Sequence, residues 1–74
     1  MAQVNGQSIT YSSPKGQQRQ MPHHGGATNA YQNGDNSRLY VECQRGGKKI
    51  LEEWEIPVAS SNPKKLSERF VWRF

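Results

Sequence analysis

The segment VECQRGGKKILEEWEIP, Val41 to Pro57, pivots on a glycine pair that decides what the second half of the chain can become. Gly46 and Gly47 accept positive φ at no steric cost, which suits a two-residue hairpin turn. With that turn, Arg45 faces Lys48, Cys43 faces Ile50, Val41 faces Glu52 and Leu39 faces Trp54. This face is apolar except for Glu52 and the basic pair at the turn. The opposite face pairs Arg38 with Glu55, Tyr40 with Glu53, Glu42 with Leu51 and Gln44 with Lys49. A three-residue loop would instead set Glu42 opposite Glu52 and Leu39 opposite Glu55, losing on both faces. The competing reading is a helix from Lys48 to Glu55, built of good helix formers with Ile50 and Trp54 four apart. It has only about two turns and follows glycines without an N-cap, so local propensity does not hold it. The hairpin is favoured, Trp54 is expected in the core, and Pro57 ends the ladder.

The rest of the chain is less patterned. Of the apolar residues, positions 1–37 hold nine and positions 38–74 hold fifteen, so most of a core is expected from the second half. Asn5-Gly6 reads as a hairpin turn pairing Val4 with Gln7 and Ala2 with Ile9. Ser12 to Ser37 is rich in Ser, Pro, Gly, Gln and Asn, and reads as a long mobile loop. Asn62-Pro63 suggests an N-cap and one helical turn over Pro63 to Leu66. In the closing ERFVWRF, Phe70, Trp72 and Phe74 alternate with Arg69, Val71 and Arg73, the periodicity of a strand, with Phe70 and Trp72 expected in the core. The fold class expected is mainly β: a small antiparallel sheet or partly open barrel with a long flexible loop or N-terminal arm. Residues 1–37 form the polar arm with its short hairpin, and residues 38–74 the β-rich core segment.

At 74 residues the chain is one domain at most, and folding buries only about 60% of its unfolded surface, so a large enclosed active site is not expected. Its formal net charge of +4 favours anionic partners, and most of the excess lies in residues 38–74. Cys43 is the single cysteine, which excludes an intramolecular disulfide and fits a reducing, cytoplasmic setting. No apolar run suggests a signal peptide or a membrane span.

No motif specifies a reaction. His23 and His24, with Cys43, invite a metal reading, but adjacent histidines do not converge on one ion and one cysteine offers no second thiolate. They are read as solvated loop histidines, and no metal or cofactor is expected. Cys43 lies on the apolar face of its strand, where a thiol is buried and inert. Glu52 falls on the same face, either at an open sheet margin or paired with a base there. Gly46-Gly47-Lys48 lacks the spacing and the Ser or Thr of a phosphate loop.

The basic and aromatic residues carry the functional signal. Arg45, Lys48 and Lys49 cluster at one turn, Lys64 and Lys65 lie in a later loop, and Arg69, Arg73 and Phe74 close the chain. Arginine and aromatic residues are enriched at protein interfaces. The expectation is a non-enzymatic protein-binding module that regulates or inhibits a larger complex, such as an RNA polymerase or a nuclease. The alternative is direct nucleic-acid binding by the same residues. Neither a membrane nor a small-molecule substrate is expected as partner.

Overall fold

The computed structural model describes residues 2–59 and 62–73, apart from the side chains at 72 and 73. The chain is mainly β, with no helix among the described residues. Seven strands run in order: β1 (Gln3–Asn5), β2 (Ser8–Ser12), β3 (Gln18–Pro22), β4 (Ala27–Gln32), β5 (Arg38–Arg45), β6 (Lys48–Glu55) and β7 (Lys64–Arg73). They form two antiparallel sheets, β1-β2-β3 and β4-β5-β6-β7, each joining strands in chain order. The sheets do not close into a barrel. Beside β1 and β4, the Gln32 side-chain amide accepts from Ser12 N at 2.9 Å and donates to Ser12 O at 2.8 Å, as a ladder partner would.

The central hairpin has the register expected from its sequence, from Arg38 opposite Glu55 to Arg45 opposite Lys48. Gly46 and Gly47 sit at φ 58° and 73°, which a two-residue turn of this hand requires. Leu39, Val41 and Cys43 alternate inward and are fully buried. Trp54, opposite Leu39, is half-buried and packs on the rim of the core.

The N-terminal half departs from expectation in three ways. First, the opening hairpin turns at Gly6-Gln7, so Val4 lies opposite Ile9 and Asn5 opposite Ser8. This register matches the two apolar residues, whereas a turn at Asn5-Gly6 would spend Val4 on Gln7. Second, Ser12 to Ser37, read as a loop, contains β3 and β4. One inward apolar residue anchors each strand, Met21 in β3 and Ala30 in β4, and their polar neighbours face water. Third, the core is shared: Ala2, Ile9, Tyr11, Met21 and Ala30 from the first half join Leu39, Val41, Cys43 and Ile56 from the second. Short turns make this possible. Ser13 caps one, donating its N–H to Gln17 O at 2.8 Å while its hydroxyl accepts from Gln17 N. Asp35 organises another through Ser37, with Asn36 left-handed at φ 60°.

Two expectations in the second half are also corrected. Pro63 to Leu66 forms no helical turn, because β7 begins at Lys64 and its backbone groups are taken by the β6 ladder. Phe70 is 49% exposed instead of buried, on β7, the edge strand of the larger sheet. The side chain of Trp72, and Phe74 altogether, lie outside the described residues.

Gly26 closes the approach from β3 to β4. It takes φ +72°, and an added Cβ would stand 2.6 Å from the Gln44 carbonyl oxygen. Gly26→Ala should therefore cost more than the roughly 1–2 kcal/mol of a left-handed alanine alone. Gly34→Ala, with open space around it, should stay within about 0.5 kcal/mol of the parent. Urea unfolding of the two variants measures the difference.

Candidate functional site

Polar chemistry collects where β6 carries Glu52 into the apolar face. Glu52 is 2% exposed and His23 is 8% exposed. His23 continues the inward alternation of Met21 beyond the end of β3, with its backbone N–H held by Gln7 O at 2.7 Å. Its Nε2 lies 2.7 Å from Glu52 Oε1. Trp54 Nε1 donates to the same oxygen at 3.0 Å. The other oxygen, Oε2, accepts from Arg45 Nη2 at 3.2 Å and Lys65 Nζ at 3.3 Å. Arg45 and Lys65 also both pair with Glu68, so the two glutamates and two cations form one network. Burial alone would raise the Glu52 pKa, but the hydrogen bonds from His23 and Trp54 and the nearby charges outweigh it and hold the carboxyl below its ordinary value.

Cys43 completes a buried trio, its Sγ 3.8 Å from His23 Nε2. Cysteine, histidine and carboxylate suggest a catalytic triad, but the connectivity is wrong for one. In a triad the nucleophile and the carboxylate take opposite ring nitrogens. Here both approach Nε2, and Nδ1 accepts the Gly25 N–H at 3.1 Å. With Nδ1 accepting, Nε2 is the ring nitrogen that donates to Glu52. The Cys43 thiol is pushed up to about 11, first by burial and then by the charge on Glu52, so it is not a thiolate at neutral pH. The arrangement does not support nucleophilic catalysis. His23, Cys43 and Glu52 do place one ligand atom each within 4.8 Å of the others. A cleft of about 370 Å³ opens beside them, walled by the loop from Pro22 to Gly25, Arg45, Trp54 and Lys65.

The reading of His23 as a solvated loop residue is thus overturned, because the strand alternation carries it inward. Of the two readings of Glu52, pairing with a base holds: it is buried and bonded to Arg45 and Lys65. Convergence of His23 with Cys43 and Glu52 could not be read without the register of β3 against the larger sheet. The inward step from Met21 to His23 was the available signal.

The residues expected to bind a partner separate into groups. Arg45 and Lys65 are committed to Glu52 and Glu68, and Lys49 pairs with Glu42 at 3.6 Å. Lys48 lies over the Phe70 ring, 5.7 Å from its centroid. Lys64 and Arg69 are exposed on β7 and make no ion pair among the described residues. Arg73 ends β7 opposite Lys48, and Phe74 lies outside the described residues. Leu66, Phe70 and Val71 are 43%, 49% and 47% exposed along the same strand. No helix is long and apolar enough to cross a membrane, among the described residues. A scan against protein-family models and searches of curated proteins and of solved structures return no match.

Two outcomes test this geometry. Glu52→Gln should destabilise the fold by about 1–3 kcal/mol, the usual cost of weakening the bonds of a buried polar group, because Arg45 and Lys65 are 38% exposed and keep Glu68. Because the folded carboxyl lies below its ordinary 4.5, its contribution is complete above that value and drains as pH falls toward the lower folded value. The acid limb of stability against pH should therefore be shallower in Glu52→Gln than in the parent. Native Cys43, fully buried and protonated, should resist a disulfide reagent that labels it at once in denaturant.

Proposed function

We propose that this chain is a non-enzymatic protein-binding module that docks along β7, taking an extended acidic segment of a larger protein as a further strand. The observation that carries the reading is the character of β7. It is a ten-residue edge strand with Leu66, Phe70 and Val71 half-exposed, bordered by Lys48, Lys64 and Arg69. Natural edge strands are kept short or blunted by charge, so a long one with exposed apolar groups calls for a cover. Strand addition supplies affinity through the backbone, and side-chain pockets supply specificity. The cations favour an acidic occupant and disfavour a second copy, whose β7 would bring like charges to the same edge. Regulation or inhibition of a larger complex is the role such docking fits.

Direct nucleic-acid binding is the competing reading. Each glutamate of β5, β6 and β7 has a cationic partner: Glu42 with Lys49, Glu53 and Glu55 with Arg38, and Glu52 and Glu68 with Arg45 and Lys65. Among the described side chains of β5, β6 and β7, that leaves Lys48, Lys64 and Arg69 outside the ion pairs. Duplex-binding proteins with strong salt dependence make about 6–10 phosphate contacts, so three unpaired cations among the described side chains of this face favour the protein partner.

An acidic peptide with alternating aliphatic residues, titrated into labelled protein, should shift amides from Lys64 to Arg73 and leave β1 to β3 unmoved. Arg69→Glu and Phe70→Ala, both at exposed positions, should abolish the shifts without altering the melting curve. Lys15→Glu, in a distant turn, should keep them. Tight binding of a DNA or RNA oligonucleotide that weakens steeply with salt, with no response to the peptide, would overturn the reading.

A further inference from the structure

We infer that His23, Cys43 and Glu52 form a binding site for a zinc-class transition-metal ion, independent of the β7 surface. The three side chains come from the β3–β4 connection, β5 and β6, and all are buried. They offer imidazole nitrogen, thiolate sulfur and carboxylate oxygen, a donor set suited to Zn(II) and its congeners. A tetrahedral ion with bonds of about 2.0–2.3 Å needs its ligand atoms roughly 3.2–3.6 Å apart. Here the nitrogen lies 2.7 Å from the carboxylate and 3.8 Å from the sulfur. The first distance must open by roughly 0.6 Å and the second close by roughly 0.2 Å, with the sulfur drawn toward the carboxylate from a separation within 4.8 Å, to admit the ion.

The proton inventory points the same way. The trio holds one proton on His23 Nε2, between nitrogen and carboxylate, and one on the Cys43 thiol. An ion on Nε2, Sγ and Oε1 replaces both. The imidazole proton moves to Nδ1 and the thiol proton leaves for solvent, so one proton is released per ion bound. Trp54 Nε1 keeps its bond to Oε1, while Arg45 and Lys65 keep theirs to Oε2, orienting the carboxylate as outer partners do in metal sites. The cleft beside His23 and Glu52 leaves a fourth position facing solvent.

One adjustment is required. With the ring proton on Nδ1, the Gly25 N–H becomes a second donor aimed at a donor, so the His24–Gly25 peptide must turn away. Gly25 and Gly26 make that segment adaptable. The Cys43 proton, held at about 11, must also be displaced. Arg45, Lys65 and Glu68 are the other charges facing the site.

Cobalt(II) is the probe. The intact protein, titrated with Co(II), should bind one ion with a thiolate-to-cobalt charge-transfer band in the near ultraviolet. Zinc(II) should displace it and raise the melting temperature. Imidazole nitrogen-15 spectra with Zn(II) should show the His23 proton moving from Nε2 to Nδ1, together with a shift of the Gly25 amide. Cys43→Ser should lose the band while retaining the β-sheet circular dichroism of the parent. Folded parent protein that shows no charge-transfer band with excess Co(II), or whose His23 keeps its Nε2 proton in excess Zn(II), would overturn the inference. The peptide titration of β7 stands or falls separately.

Discussion

A carboxylate in the apolar face of a 74-residue β protein is the constraint around which the rest is arranged. Removing a charge from water costs several kcal/mol even after relaxation, and a small core has little surplus to offset it. Glu52 is sustained by four donors, which reach it from the connection after β3, from β5, from β6 itself and from β7. A well-packed aliphatic residue at this position could be equally stable, so stability alone does not account for the network. What the network adds is specificity. Each donor sits on a different element, and a one-residue slip of any strand would turn its donor away from Glu52.

The central hairpin was legible in the sequence because two independent signals agreed there. The glycine pair set the loop length, and the two faces separated into apolar and charged sets only in the two-residue register. Agreement between local and global preference is what makes a segment readable. The N-terminal half offered no such agreement. Gln18 to Pro22 and Ala27 to Gln32 hold few apolar residues, and composition there resembles a loop. Their strands exist because Met21 and Ala30 reach a core supplied largely by others, a tertiary cause that no local window contains. The first hairpin slipped for a related reason. Asn5-Gly6 is the stronger turn dipeptide, but Gly6-Gln7 matches Val4 with Ile9, and burial prevailed over turn propensity.

The site was half legible. Glu52 stood out as a charge on the wrong face, and of the two readings that anomaly allowed, an open margin or a basic partner, the second holds. His23 did not, because its neighbours Pro22, His24, Gly25 and Gly26 carry every mark of a loop. Its burial follows from the ladder bond between its backbone and Gln7, a pairing that depends on the whole smaller sheet.

The buried network also explains the exposed strand. β7 pairs with β6 through two irregularities, one between Glu53 and Trp54 and one between Lys49 and Ile50. In an unbroken ladder Glu53 opposite Ser67 would be followed by Trp54 opposite Leu66. The bulge skips Leu66 and sets Lys65 there, on the face that holds Glu52. A second cation thus reaches the carboxylate, and Leu66 is displaced to the surface. The later irregularity likewise passes over Val71, leaving it half-exposed. The irregularity that brings Lys65 to the interior charge is thus also the one that uncovers Leu66. The features proposed for docking and the buried ligand cluster therefore share a structural origin while remaining chemically separate. A change that removed the charge at Glu52 would leave Lys65 to Glu68 alone and weaken the reason for β7 to bulge where it does.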